Sequence, residues 1–71
     1  MKSIKDLRLE RNITPPQMAS LLKIALSTYF DKEAGRRKFQ PAEIVQLCKM
    51  FSTRVEDVKD FYQKDALKIE A

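Results

Sequence analysis

The residues best suited to chemistry lie between Thr14 and Phe39. Ser27, Thr28 and Asp31 place two hydroxyls and a carboxylate within two turns of one short segment, and Arg36, Arg37 and Lys38 follow it directly. Such groups can hydrogen-bond base edges, and clustered cations attract phosphate. Nucleic-acid recognition is therefore the chemistry this stretch fits. Catalysis fits poorly, because the chain has no histidine and its acidic residues read as helix caps and outer faces. The one glycine, Gly35, cannot make a phosphate-cradling loop. With Cys48 as the one cysteine, neither an intrachain disulfide nor a Cys/His zinc site can form. We expect no enzyme activity, no cofactor and no metal.

The charge is placed to serve that chemistry. The 71 residues carry a formal charge of +4, but residues 1–39 hold nine Lys/Arg against four Asp/Glu, and residues 40–71 hold five against six. The excess positive charge thus lies wholly in the first part of the chain, around the candidate residues. No apolar run reaches the length of a membrane span, and the opening residues do not read as a signal peptide. A cytoplasmic protein, in a bacterial cytosol and associated with the nucleoid, is the expectation.

The elements that must position these groups read as helices. Apolar residues recur at helical spacing, and no segment alternates like a strand. A first helix is predicted from about Ile4 to Arg11, capped by Ser3 and ended by Asn12. The second starts at Thr14, with Pro15 at the first helical position and Gln17 completing a capping box. Its inward stripe is Met18, Ala19, Leu21 and Leu22. After a break at Lys23-Ile24-Ala25, a third helix runs from about Leu26 to Glu33, and Gly35 ends it. A fourth begins after Gln40 with Pro41 at its first position, and buries Ile44, Leu47, Cys48 and Phe51. In that stripe Cys48 reads as a small core hydrophobe. A fifth is predicted after Thr53, with Thr53 and Glu56 as a capping box and Val55, Val58, Phe61 and Tyr62 as its apolar side. The chain divides into one domain over 1–62 and a tail over 63–71.

A capped helix of about two turns, a break of a few residues and a second helix of about two turns form a helix-turn-helix pattern. Small Ala19 lets the helices cross closely, Ile24 plugs the turn and Tyr29 pins the third helix to the core. Leu26, Ser27, Thr28 and Asp31 then remain on the outer surface, where they can face base edges in a major groove. Arg36 and Arg37 stand where phosphates would pass, with Gln17, Lys23 and Lys38 as further phosphate candidates. Phe30 and Phe39 read as core or interface residues.

Over residues 4 to about 58 the sequence resembles the Cro and phage-repressor (XRE) helix-turn-helix family. Leu7-Arg8 with Glu10-Arg11-Asn12 is similar to its first helix, and Thr14 to Leu22 to its second. Ser27-Thr28-Tyr29, Lys32-Glu33, Gly35-Arg36-Arg37 and Phe39 resemble a phage-type branch. Glu43, the stripe of the fourth helix and Val55-Glu56-Asp57-Val58 resemble the last two helices. The resemblance implies an all-α, lambda-repressor-like five-helix bundle. It implies Leu26, Ser27 and Thr28 near bases, Arg36, Arg37 and Lys38 near phosphates, and an ion pair of Arg8 with Glu33 beneath the reading helix. The implied function is a transcriptional repressor of a phage or mobile element, bound to a double-stranded DNA operator.

Three positions depart from that pattern. Pro15 replaces a glutamine at the start of the second helix, Lys23 replaces the turn glycine, and Ala25 replaces a Ser/Thr cap. These departures, with exposed Leu26 and Phe30, motivate an alternative: a modulator or antirepressor that docks on another repressor. Phe61, Tyr62, Leu67 and Ile69 are the candidate partner interface, for a homodimer or for that heterocomplex. A partner would also extend the contacts that a domain this small can make with DNA.

Overall fold

The computed structural model of the protein describes residues 1–61. These residues form four α-helices and one 3-10 turn: α1 (Ile4–Glu10), α2 (Pro15–Leu22), α3 (Leu26–Glu33), α4 (Pro41–Phe51) and the turn Val55–Asp57. Among the described residues the extended pairing is one isolated parallel bridge, between Lys2 and Val58. The architecture is a small all-helical domain. No helix among the described residues is long and apolar enough to cross a membrane.

Local chemistry sets the helix starts. Ser3 Oγ accepts from the Asp6 N–H at 3.1 Å, and the Ser3 N–H donates to Asp6 Oδ2 at 3.1 Å. These hydrogen bonds hold the Asp6 carboxyl below the usual carboxylate range. This cap therefore stabilises the fold above about pH 4 and loosens as the pH falls. Thr14 and Gln17 form the same reciprocal box, with Pro15 at the first helical position. Before Pro41, the Gln40 N–H donates to Glu43 Oε1 at 2.7 Å. A proline at that position forfeits no helical hydrogen bond, because the first N–H groups have no partner in the preceding turn.

Left-handed residues end the helices. Asn12, Lys23 and Ser52 have φ of 55°, 59° and 51°, and Gly35 has φ of 87°. Lys23 thus adopts the angle that glycine takes most cheaply, and keeps the tight turn in spite of its side chain. The Ile24 N–H donates to the Ala19 carbonyl at 3.0 Å, and Ile24 packs on the core from the turn.

The core is built from all four helices and from the segments that follow α3 and the 3-10 turn. Ile4, Met18, Tyr29, Leu47 and Val58 are fully buried, and Leu7, Ala19, Leu22, Phe39, Phe51 and Phe61 join them. Ile44 and Cys48 pack against this cluster while half-buried. Burial pushes the Cys48 thiol up, with the Glu56 charge adding to it, so the sulfur stays protonated at neutral pH.

Two expectations are corrected. No fifth α-helix follows Thr53 among the described residues. The chain makes one 3-10 turn instead, with Arg54 extended ahead of it and no side-chain cap. Val58 then turns extended, at φ −112° and ψ 114°, to pair with Lys2. That pairing needs an outstretched backbone, which a continuing helix would not supply, and Val55 is left exposed. Leu21, expected on the inward stripe of α2, is also exposed. Met18, Ala19 and Leu22 fill the buried side, and a turn of 100° per residue carries Leu21 to its margin. The tail over 63–71 lies outside the described residues.

Candidate nucleic-acid interface

Two ion pairs on adjacent residues fix α3 in place. Arg8 Nε donates to Glu33 Oε2 at 2.9 Å, and Arg8 Nη1 donates to the Ile13 carbonyl at 3.0 Å. Tyr29 Oη donates to the same Glu33 oxygen at 2.5 Å. Burial first, then this hydrogen bond, raises the Tyr29 phenol above its ordinary range. On the other side Lys32 Nζ meets Glu43 Oε1 at 2.5 Å, on the oxygen that also takes the Gln40 N–H. Both pairs are nearly excluded from solvent. Glu33 therefore ties α3 to α1, and Lys32 ties it to α4. Among the described residues no buried side-chain polar atom lacks a hydrogen-bond partner.

With Tyr29 and Lys32 facing inward, helical geometry directs Ser27, Phe30 and Asp31 outward, with Leu26 at the edge of that face. Leu26 is 39% exposed and Phe30 44%. Ser27 is exposed, while Asp31 is half-buried. Thr28 is half-buried too, because it lies next to Lys32 around the helix. It is therefore less available to a ligand than Ser27. Phe30, read from the sequence as a core or interface aromatic, stands out on the surface of α3.

The cations surround this face. Lys23 is exposed in the turn before α3. Beyond α3, the backbone N–H groups of Arg36 and Arg37 both donate to the Asp31 carbonyl, at 2.8 and 3.2 Å, so the loop is folded back on the helix end. The side chain of Arg36 is paired with Asp31: Nε and Nη2 each lie 2.9 Å from Oδ1. Arg37 and Lys38 are exposed. Gln17 is exposed, and its Oε1 is held by the cap of α2.

The start of α3 carries the third departure noted in the sequence. Ala25 sits at the N-cap with φ −67° and ψ 151°, and no side chain accepts from the first turn. Ala25→Ser should supply that acceptor and raise stability by about 1 kcal/mol. Urea unfolding checks this: the midpoint should rise while the slope stays the same.

Phe61 is not available as an interface residue. It is buried, and its ring meets Phe39 edge-on at a centroid distance of 5.5 Å. Such a pairing is favourable beyond its buried area, which accounts for Phe61 turning inward. Tyr62, Leu67 and Ile69 lie outside the described residues. Lys32 and Glu43 went unnoticed in the sequence as a pair. The available signal was Lys32 at helical spacing from Tyr29, on the face that must be buried.

A cleft of about 490 Å³ lies elsewhere, lined by Leu7, Glu10, Arg11, Phe51 and Asp57 among others. Glu10 is paired there with Lys2, and Arg11 stacks over Phe51 and donates to its carbonyl. Arg11 thus holds α1 against the end of α4, while Glu10 is taken by Lys2 and Asp57 by Arg54. Among the described residues no group of three or more His, Cys, Asp or Glu is placed to hold a metal ion. Compared with known proteins, the chain matches no family model, no curated protein and no solved structure.

Proposed function

We propose that the protein is a sequence-specific DNA-binding transcription regulator, a repressor of the helix-turn-helix kind, with α3 entering the major groove. One observation carries this reading: a short helix, fixed by two buried ion pairs, turns Leu26, Ser27, Phe30 and Asp31 outward between Lys23 and Arg36–Arg37–Lys38. A rigid presenting helix with cations at both ends matches the demands of a groove lined by phosphates. Repression follows if the bound site overlaps a promoter. A two-fold pair of such domains would address half-sites about 34 Å apart.

The test is fluorescence anisotropy on a labelled random-sequence duplex at two salt concentrations. Binding should appear at low salt and fall steeply as salt rises. No binding at low salt would refute the reading.

A second reading is favoured by the apolar part of the same surface. Leu26 and Phe30 lie one turn apart and both are exposed. On this reading α3 docks on another repressor, and the protein is a modulator or antirepressor. A stable heterocomplex, with only weak DNA binding by the isolated chain, is its expected signature.

A further inference from the structure

We infer that α3 reads the pyrimidines of its site: the 5-methyl group of thymine through Leu26 and Phe30, and the N4 amino group of cytosine through Asp31, whose carboxylate Arg36 holds in place. The inference rests on the DNA-binding reading above and goes on to name the bases.

The face is defined first by what it lacks. Guanine is read most often by Arg or Lys, and adenine by Asn or Gln, each as a bidentate partner on the purine edge. The outward side of α3 has none of these. Its one cation, Lys32, is 6% exposed and is held by Glu43. What it offers is a pair of large apolar side chains one turn apart, a hydroxyl and a carboxylate. The apolar group that base pairs present in the major groove is the thymine methyl. Leu26 and Phe30 are suited to that group, and neither can serve a purine N7 or O6.

Asp31 adds the polar half. A carboxylate can only accept hydrogen bonds, and the major groove offers two donors, cytosine N4 and adenine N6. Adenine sets an N7 acceptor beside its donor, and a carboxylate repels that acceptor. Cytosine carries a C5–H, and no acceptor, on its own ring beside the amino group, so cytosine is the better partner. The geometry of the pair is favourable to this role. Both Arg36 nitrogens lie on Oδ1, at 2.9 Å, which leaves Oδ2 for a base. The guanidinium also offsets the carboxylate charge, which would otherwise be repelled by the phosphates. Arg36 is therefore a positioning residue for Asp31 in the first place. Lys23 and Arg37 supply attraction to the backbone.

The scale fits a short recognition element. From Leu26 to Asp31 the helix advances about 7.5 Å. At about 3.4 Å per base step, that spans roughly three base pairs. The expected core of each half-site is thus a short run of T and C on one strand.

The experiment selects a site for the full chain from a randomised duplex pool. It then measures anisotropy on that site with single-base modifications. Thymine replaced by deoxyuridine loses the methyl group, N4-methylcytosine blocks the amino edge, and 7-deazapurines remove N7. The first two should each weaken binding roughly five- to tenfold at one or two positions, and the third should leave it unchanged. Asp31→Asn should move the preference at the cytosine position towards adenine, since an amide can serve both N6 and N7. A merely structural Asp31 would not shift base preference. If binding depends on N7 and ignores the methyl and amino changes, α3 reads purines and the inference fails while DNA binding stands. Duplex binding that selects no sequence also overturns it. Absence of binding to any duplex overturns both readings and assigns Leu26 and Phe30 to a protein partner.

Discussion

Replacing Arg8 by alanine should cost about 3–5 kcal/mol of folding stability, the effect of leaving a buried charge without its partner. Glu33 is the residue left behind. It is largely excluded from solvent, and Arg8 is its cationic partner at 2.9 Å. The Tyr29 hydroxyl would still donate to it, but a neutral donor does not offset the charge. Arg8→Ala also takes a donor from the Ile13 carbonyl. A domain of this length has roughly 4–10 kcal/mol in all. The variant should therefore be partly unfolded at room temperature, as far-UV circular dichroism and urea titration would show. Glu33→Gln combined with Arg8→Met should regain part of the loss, because no unpaired charge is then buried and Tyr29 keeps an acceptor. A double variant no more stable than Arg8→Ala would mean that the guanidinium matters for its packing and not for its charge.

The second large effect concerns salt. Lys23 stands exposed in the turn before α3, and Arg37 stands exposed in the loop after it. Their backbones are fixed, Lys23 by its hydrogen bonds to the end of α2 and Arg37 by the Asp31 carbonyl. On the proposed reading both side chains meet phosphate, and neither touches a base. Each phosphate contact releases about 0.9 counterion, so losing one should flatten the plot of log affinity against log salt by about 1. Lys23→Ala with Arg37→Ala should flatten it by about 2. Affinity at low salt should drop on the order of tenfold or more. The drop should be equal for the selected site and for random duplex, since phosphates carry no sequence. A loss confined to the selected site would place these cations at bases. An unchanged slope would remove them from the interface.

Local rules wrote the first four helices into the sequence. Thr14 with Gln17, Pro15, Pro41 and Gly35 each act within a few residues of themselves, and so each is readable without the rest of the fold. The break at Lys23-Ile24-Ala25 is readable for the same reason. The region after Thr53 obeys a distant partner. Thr53 and Glu56 have the spacing of a helix cap, yet the bridge from Val58 to Lys2 decides the backbone there. Nothing in the local pattern announces a residue more than fifty positions away. Phe61 was misread for a related reason, since its burial depends on the ring of Phe39. The outward face of α3 was legible at Leu26, Ser27 and Asp31, while Phe30 stayed open between core and interface. An aromatic at helical spacing is ordinarily taken as core, and only the inward pairing of Lys32 with Glu43 shows which side of α3 is occupied.

The bridge between Lys2 and Val58 also sets an order of events. The Lys59 N–H donates to the Lys2 carbonyl at 3.0 Å, and the Ile4 N–H donates to Asp60 Oδ2 at 3.2 Å. Ile4 and Val58, both fully buried, lie beneath this clasp. Closing it joins segments separated by most of the domain, so its loop-closure entropy exceeds that of the contact between the neighbouring helices α2 and α3. During synthesis α1 emerges before the residues that clasp its start, and the clasp can close only once Lys59 and Asp60 have emerged. Closure over Ile4 and Val58 should then be a late step, completed only after that emergence.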